Sequence, residues 1–398
     1  MIDCLSFDES AAISRLMSFL AVEGTTGHEK AIGQTVAESL LRSGVPRRAI
    51  QFDNADKKIP LPTETGNLIV NLPGTRPGPR LLFMTHLDTV PLCAGAVPVK
   101  KGKRIVPAGR TALGGDNRTG VACLVTMIVT LLERKLPHPP LAILFTVREE
   151  SGLWGARFVD VADLGRPTMA FNVDGRSPRE LTIGAVGAER WEVEIVGRAA
   201  HAGVHPEQGV SATMVASLAL ADIHKAGWFG RIRKNGLEGT ANIGSFGGAD
   251  GQSAGVATNV VTDYACVRGE ARSHQARFVR TIVTAHRDAF RRAGKKVLDH
   301  RGRSARIRFR TRLDYQPFRL KETNPVVIRA REAARRAGWE PTLRVTNGGL
   351  DANWTVRHGI PTVTLGAGQH EIHTVDEYVD IAEFLEGCRL ALALATQE

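Results

Sequence analysis

"LLFMTHLD" at residues 81–88 and "LAILFTVREE" at residues 141–150 decide the fold. Each is an unbroken apolar run that ends in another chemistry, His86 and Asp88 in the first and Glu149 and Glu150 in the second. A run without polar alternation is what a strand buried on both faces requires, and such strands belong to parallel sheets covered by helices. The same texture recurs at Asn67 to Leu72, at Met169 to Val173 and in "PTVTLG" from Pro361. A long helical pattern from Thr119 to Lys135 separates two of these runs, and helical patterns at Glu9 to Val22 and Glu29 to Leu41 open the chain. The expected fold class is α/β, a mostly parallel sheet with helices on both faces.

From about Ala188 the texture changes. "ERWEVEIVGRA" alternates polar and apolar residues; helical patterns follow at Ser211 to Lys225 and Gln275 to Ala293, with strand-like pieces at Val256 to Arg272 and Ala305 to Leu313. Alternation gives a sheet one face for its own helices and one for solvent or a partner. An α+β unit is therefore expected over residues 188–316, inserted between residues 1–187 and 317–398 of the α/β unit. Past Pro317 the first texture returns, with Asn324 as cap, Pro325 at the first helical position, Gly338 as the stop and a final helical pattern from Glu377 to Ala393. A chain of 398 residues with 43% hydrophobic content suits two domains, since single cores stop growing near roughly 250 to 300 residues.

The formal net charge of +11 raises nucleic acid or an anionic membrane as a partner. The arginines are spread, however, and their densest stretch, "RGRSARIRFRTR" at Arg301 to Arg312, alternates with apolar residues as the solvated face of a strand does. No basic stretch is interleaved with base-stacking aromatics, so neither nucleic acid nor membrane is expected as a partner. The longest apolar run, within Val121 to Leu132, is shorter than the roughly 18 residues of a membrane span. "MIDCLSFDES" lacks the basic start and apolar core of a leader, and a soluble cytoplasmic protein is expected. Cys4, Cys93, Cys123, Cys266 and Cys388 are scattered and odd in number, which points to buried thiols rather than disulfides or a zinc ribbon.

Four apolar runs lead into His86 and Asp88, Glu149 and Glu150, Asp174, and His370 and His373. In open α/β sheets ligands bind beyond the carboxyl ends of the strands, so these segments should converge on one crevice. The mixture of His, Asp and Glu suits zinc. His86 and Asp88 are two apart and face the same way in an extended segment, as an imidazole and its orienting carboxylate do; a strand-end histidine beside a solvated aspartate reads alike. In "GGDNRTG", Asp116 follows two glycines and precedes a helix, the place of a rigidly held carboxylate or of an ordinary cap. Glu149 and Glu150 repel one another with no cation immediately after them. A metal on one and a water proton on the other resolves this, solvated loop carboxylates being the plain alternative.

Eight ordered segments, "THLDTVP", "GGDNRTG", "REESGLWGA", "NVDG", "GRAAHAGVHPEQGVSA", "TNVVTDYACVRGEARS", "NGGLDANW" and "HEIHTVDEYV", span most of the chain. Together they resemble the zinc exopeptidases that include peptidase T, the bacterial glutamate carboxypeptidase and aminoacylase. The resemblance implies two zinc ions per subunit, replaceable by cobalt or manganese, with His86 and Asp174 on one, Glu150 and His373 on the other, and Asp116 bridging. It implies that Asp88 orients His86, that Glu149 is the general base acting on a metal-bridging water, and that His201 of "HAG" stabilises the oxyanion, often from the partner subunit. Asn259 and Arg272 would bind substrate. The implied fold is a catalytic α/β domain interrupted by a lid domain that usually forms a homodimer.

Within that family, peptidase T and the aminopeptidases tend to carry Asp at the position of Asp174, whereas deacylases tend to carry Glu. The expected reaction is hydrolysis of the N-terminal peptide bond of a short peptide. Asn347 stands where peptidase T has arginine, which puts strict tripeptide specificity in question. An amidohydrolase of N-acyl amino acids or a carboxypeptidase on the same fold is the alternative. A basic binding protein with an inert metal site is the reading from another class, and the full ligand set together with Glu149 speaks against it.

Overall fold

The structure, a computed structural model, describes residues 5–397, so Cys4 lies outside the described residues. The chain divides into two compact units: Met1–Ala185, Arg319–Thr346 and Leu350–Glu398 form the first, and Val186–Phe318 with Asn347–Gly349 the second. The three residues Asn347–Gly349 sit inside what the sequence texture assigns to the α/β part. Their place follows from contacts: Asn347 Oδ1 lies 2.9 Å from His274 Nε2, and Gly349 has no Cβ where the Tyr315 ring passes.

The first unit is built on a mixed sheet in the order Ile50–Phe52, Leu68–Leu72, Leu141–Thr146, Leu81–His86, Met169–Val173, Thr362–Leu365, Glu180–Ala185. The four strands from Leu141–Thr146 to Thr362–Leu365 are mutually parallel, and every residue of Leu81–His86 and Leu141–Thr146 is buried. Leu68–Leu72 joins antiparallel, a direction its sequence does not show, because burial on both faces produces the same apolar run whichever way the neighbour points. Glu180–Ala185, also antiparallel to its inner neighbour, is too mixed in polarity to stand out in the sequence.

The helix Gly115–Glu133 is apolar on all sides, and such a helix must be enclosed. It is buried from Gly115 to Leu131 and packs on the helices Glu9–Leu20, Lys30–Arg42 and Ile381–Thr396 and on the strand Leu81–His86. Its buried Arg118 donates to the carbonyls of Phe19 (3.2 Å), Val22 (3.3 Å), Gly24 (3.5 Å) and Leu87. The helix Pro325–Ala337 starts and stops as its sequence signals: Asn324 accepts the Val326 N–H at 3.2 Å, and Gly338 closes it at φ 109°. No helix among the described residues is long and apolar enough to cross a membrane.

In the second unit an antiparallel sheet runs Gly230–Lys234, Leu237–Gly247, Tyr264–Ser273, Gly187–Val196, Arg306–Tyr315. Alternation along Gly187–Val196 buries Trp191, Val193 and Ile195 in a core with Phe278, Ile282 and Phe290, while Glu192 and Glu194 stay half-exposed. Arg310 faces Glu192 and Glu194, and Arg308 faces Glu194, at 3.5 to 3.6 Å, so the arginine-rich stretch is one salt-paired sheet face. Of the strand expected from Val256, only Tyr264–Ser273 forms. The hairpin Gly230–Gly247 carried an unused signal, since Asn235 and Gly236 both take positive φ (52° and 71°) as an Asn-Gly turn does.

One glycine measures how closely the long helix approaches the strand ends. A Cβ on Gly120 would lie 2.2 Å from Thr85 Oγ1 and 2.4 Å from the Val173 carbonyl. Ala normally beats Gly inside a helix by about 0.5 to 1 kcal/mol, but here overpacking should win. Gly120→Ala is expected to destabilise the protein by about 1 to 3 kcal/mol, whereas Gly109→Ala, where nothing lies within 4 Å, should stay within about 0.5 kcal/mol of the parent. Urea midpoints of the two variants check this, and equal midpoints would contradict it.

Candidate metal centre

Parallel strands end at one edge of the sheet, and the residues that follow the four inner strands meet there. His86 ends its strand, Asp174 directly follows Met169–Val173, and Glu149 and Glu150 follow Leu141–Thr146 by three and four residues. His373, eight residues past Thr362–Leu365, is placed by a left-handed backbone, φ 64°, unusual for a residue with a side chain. Asp116 comes from the first turn of the buried helix, which Gly114 enters at φ 82° and where Asp116 and Asn117 depart from helical geometry.

The carboxylate of Asp116 is the hinge of the arrangement. Its Oδ1 lies 3.1 Å from His86 Nε2, and its Oδ2 lies 3.2 Å from His373 Nε2. Asp174 Oδ1 stands 3.6 Å from His86 Nε2, and Glu150 Oε1 stands 2.9 Å from His373 Nε2. Two groups result, His86 with Asp116 and Asp174, and Asp116 with Glu150 and His373, each with its candidate ligand atoms within 4.8 Å of one another. His86, Glu149 and Glu150 make a third such group. His370 belongs to none; it bonds Glu383 and stacks on Tyr378 at 4.8 Å.

Asp88 acts through both its main chain and its side chain. Its carbonyl accepts from His86 Nδ1 at 2.9 Å, while its carboxylate stands 3.5 Å from that nitrogen. A carbonyl can only accept, so Nδ1 carries the proton and Nε2 of a neutral ring turns a lone pair toward Asp116 and Asp174. The Asp88 carboxylate meanwhile accepts the Glu149 and Glu150 N–H groups at 3.0 and 3.1 Å. Sequence spacing placed Asp88 beside His86 and gave no sign of this second duty.

The protonation pattern shows what the cluster lacks. Burial pushes Glu149 well above the carboxylate range, helped by Asp174, Glu150 and Asp351; burial also raises Asp174, and raises Glu150 to about 7. Burial would raise Asp116 as well, but His373 and His86 hold it below its ordinary value. Burial alone would lower His86, yet Asp116, Asp174 and Asp88 lift it well above the imidazole range, and Asp116 and Glu150 lift His373 to about 10. The nearby guanidinium groups do not relieve this. Arg118 is spent on carbonyls, and Arg148 donates to Thr63, Ser151 and the Pro62 carbonyl. Bare imidazole nitrogens facing an excess of buried carboxylates are the donor set of a divalent-cation site, and the residues fit zinc.

Three buried carboxylates complete the surroundings: Glu29, which lies outside every quoted motif, and Asp351 and Glu377, which stand inside "NGGLDANW" and "HEIHTVDEYV" without an expected role. Glu377 accepts from the Leu113, Gly114 and Asp116 N–H groups at 2.7, 2.8 and 3.0 Å, so it holds the loop that presents Asp116. Asp351 accepts from Thr146 Oγ1, and burial raises it to about 7. Glu29 is the third, bonded to the Gly27 and Arg148 N–H groups. Their roles show only in three dimensions, because their partners are backbone groups or residues distant in sequence.

The other expected site residues lie in the second unit. His201 is exposed, and its Nδ1 accepts the Gly203 and Val204 N–H groups at 3.2 Å each, which leaves the proton of a neutral ring on Nε2. Asn259 is its neighbour: the Ala202 N–H donates to the Asn259 carbonyl at 2.9 Å, and His201 pairs with Val260. Arg272 forms a two-pronged ion pair with Glu270 at 2.8 and 3.1 Å, so substrate binding there would share it with a carboxylate.

Comparison with known proteins follows the same lines. The model of peptidase family M20/M25/M40 matches residues 82–397. The YqjE protein of Bacillus subtilis, described as uncharacterized, is 31% identical over 391 residues, 97% of this chain and 98% of its own length. Aminopeptidase PepT from Bacillus cereus superposes with a TM-score of 0.82 at 31% identity, covering 98% of each chain. A tripeptidase from Staphylococcus aureus gives 0.85 at 27% identity, again over 98% of each.

Both oxygens of Glu377 accept N–H groups, so an amide there would turn its NH2 against a donor. Glu377→Gln is expected to release the Asp116 loop and weaken zinc binding about 10- to 100-fold, the usual scale for groups that orient ligands. Zinc titration of the purified variant measures it, and affinity equal to the parent's would contradict it.

Proposed function

This chain belongs to peptidase family M20/M25/M40, in its peptidase T-like branch, and from that premise we propose that it removes the N-terminal residue from short peptides with two zinc ions. His86 and Asp174 would hold one ion, Glu150 and His373 the other, and Asp116 both. The observation that carries the reading is the Asp116 carboxylate, whose two oxygens address histidines of two separate ligand groups. Two ions bound there would polarise the scissile carbonyl and lower the pKa of water toward neutrality.

The chain's own groups do the rest. Glu149 accepts the proton of the attacking water on its carboxylate and delivers it to the leaving amine. Asp88 keeps His86 in one tautomer and holds the Glu149 and Glu150 backbone in place. His201 offers Nε2–H to the developing oxyanion. Asn259 and Arg272 would contact substrate from the second unit. Support for a peptide substrate comes from relatives described as an aminopeptidase and a tripeptidase; a homodimer through the second unit is inferred from the resemblance alone.

Zinc-reconstituted protein assayed on di- and tripeptides beside N-acyl amino acids is expected to cleave peptides with a free N-terminus. Glu149→Gln should keep its metal and lose about 100- to 10,000-fold in kcat. Hydrolysis of N-acyl amino acids alone would instead establish an amidohydrolase, and an inert parent with full metal content would establish a binding protein.

His201→Ala is expected to lower kcat about 100- to 1,000-fold with unchanged metal content. Mixed with Glu149→Gln after subunit exchange, it should regain part of the activity when the histidine acts across a dimer. Normal kcat in His201→Ala would remove the histidine from the reaction.

A further inference from the structure

Glu29, 119 residues before Arg148 in the chain, is fully buried. Its Oε1 accepts the Gly27 N–H at 2.7 Å and the Arg148 N–H at 3.0 Å, while its Oε2 is buried without a partner. A buried carboxylate with an unused oxygen costs more than an amide or an apolar side chain would, so packing alone gives no reason for it. What it touches does. Arg148 directly precedes Glu149 and takes a left-handed φ of 53°, a conformation disfavoured for a non-glycine residue and kept only where surroundings enforce it.

The enforcement is visible group by group. Glu29 takes the N–H of residue 148, and Asp88 takes those of residues 149 and 150 at 3.0 and 3.1 Å. Two buried carboxylates thus hold three successive N–H groups of the turn that aims Glu149 and Glu150. The segment bearing Glu29 is itself tied to the chain beside Asp88: the Thr89 N–H donates to the Gly24 carbonyl at 3.1 Å, and the Thr26 N–H to the Thr89 carbonyl at 2.9 Å. Thr26 Oγ1 also donates to Ser151 Oγ at 2.9 Å, on the far side of the same turn. Gly27, at φ 93°, leaves the space that the Arg148 guanidinium fills; a Cβ there would sit 2.2 Å from it.

We propose that Glu29 is a positioning residue of the hydrolytic site, which aims Glu149 and Glu150 by holding the Arg148 backbone from a distant segment. The proposal rests on the roles given above to those two glutamates. Since only Oε1 is used, the acceptor matters and the charge does not. Glu29→Gln keeps the acceptor at full reach, Glu29→Asp keeps the charge one methylene short, and Glu29→Ala removes both.

On the zinc-loaded enzyme with a tripeptide, Glu29→Ala should lose about 10- to 100-fold in kcat with KM within about threefold. Zinc titration should show the same loss at one of the two sites and not the other, because only Glu150 of the ligands lies on this turn. Glu29→Gln should restore both readings to within about threefold of the parent, and Glu29→Asp should fall between Gln and Ala. Should Glu29→Ala fail to fold, the order of Gln over Asp decides. Asp performing as well as Gln or better, or folded Glu29→Ala with parental kcat and zinc affinity, would overturn the proposal. Glu149→Gln run alongside separates the two claims: its full activity would sink the reading of the site, whereas its inactivity beside an unaffected Glu29→Ala would sink this proposal alone.

Discussion

The structure of the first unit is organised around one electrostatic constraint, the gathering of the largely buried carboxylates of Asp88, Asp116, Glu149, Glu150 and Asp174 at the ends of parallel strands. Like charges brought together out of water repel strongly, and each must find a proton, a cation or a donor. His86 and His373 answer part of this, drawn between carboxylates at 2.9 to 3.6 Å. A divalent cation would answer the rest, because it places positive charge among several oxygens at once, which no single side chain does. The fold supplies the rigidity needed to hold such a cluster: two of the strands involved are buried along their whole length.

The second constraint is geometric, and the protein meets it with backbone rather than with cations. Glu377 takes three N–H groups around Asp116, Asp88 takes two at Glu149 and Glu150, and Glu29 takes one at Arg148. A carboxylate that accepts N–H groups fixes the position of a turn while adding no positive charge to compete with a metal. The buried guanidinium of Arg118 follows the complementary rule, since it satisfies carbonyls and leaves the ligand carboxylates free. One layer of carboxylates thus holds the loops, and the other faces the histidines.

Much of this was legible in the sequence, for identifiable reasons. Four apolar runs ending in His, Asp or Glu could be read because burial on both strand faces leaves few polar residues, and none with a formal charge, before the strand stops. Asn324, Pro325 and Gly338 marked a helix whose ends are decided by local hydrogen bonding alone. The change of texture near Ala188 was visible because a sheet covered on one face alternates. Where the physical cause is not local the reading lost detail. The direction of Leu68–Leu72, the hairpin Gly230–Gly247 and the shortening of the strand expected from Val256 all depend on which neighbour a segment finds.

The sequence by itself determined the fold class, the family and the residue types available for the site, because burial, helix caps and ordered motifs are properties of nearby residues. Only the tertiary structure decided that the two oxygens of Asp116 address different histidines, that Asp88 holds the glutamate backbone as well as His86, and that His370 turns away to Glu383. It alone disclosed Glu29 and the loop-holding role of Glu377. The reason is physical: a carboxylate bonded to backbone N–H groups more than a hundred residues away leaves no pattern in its neighbours, since any residue but proline offers the same N–H.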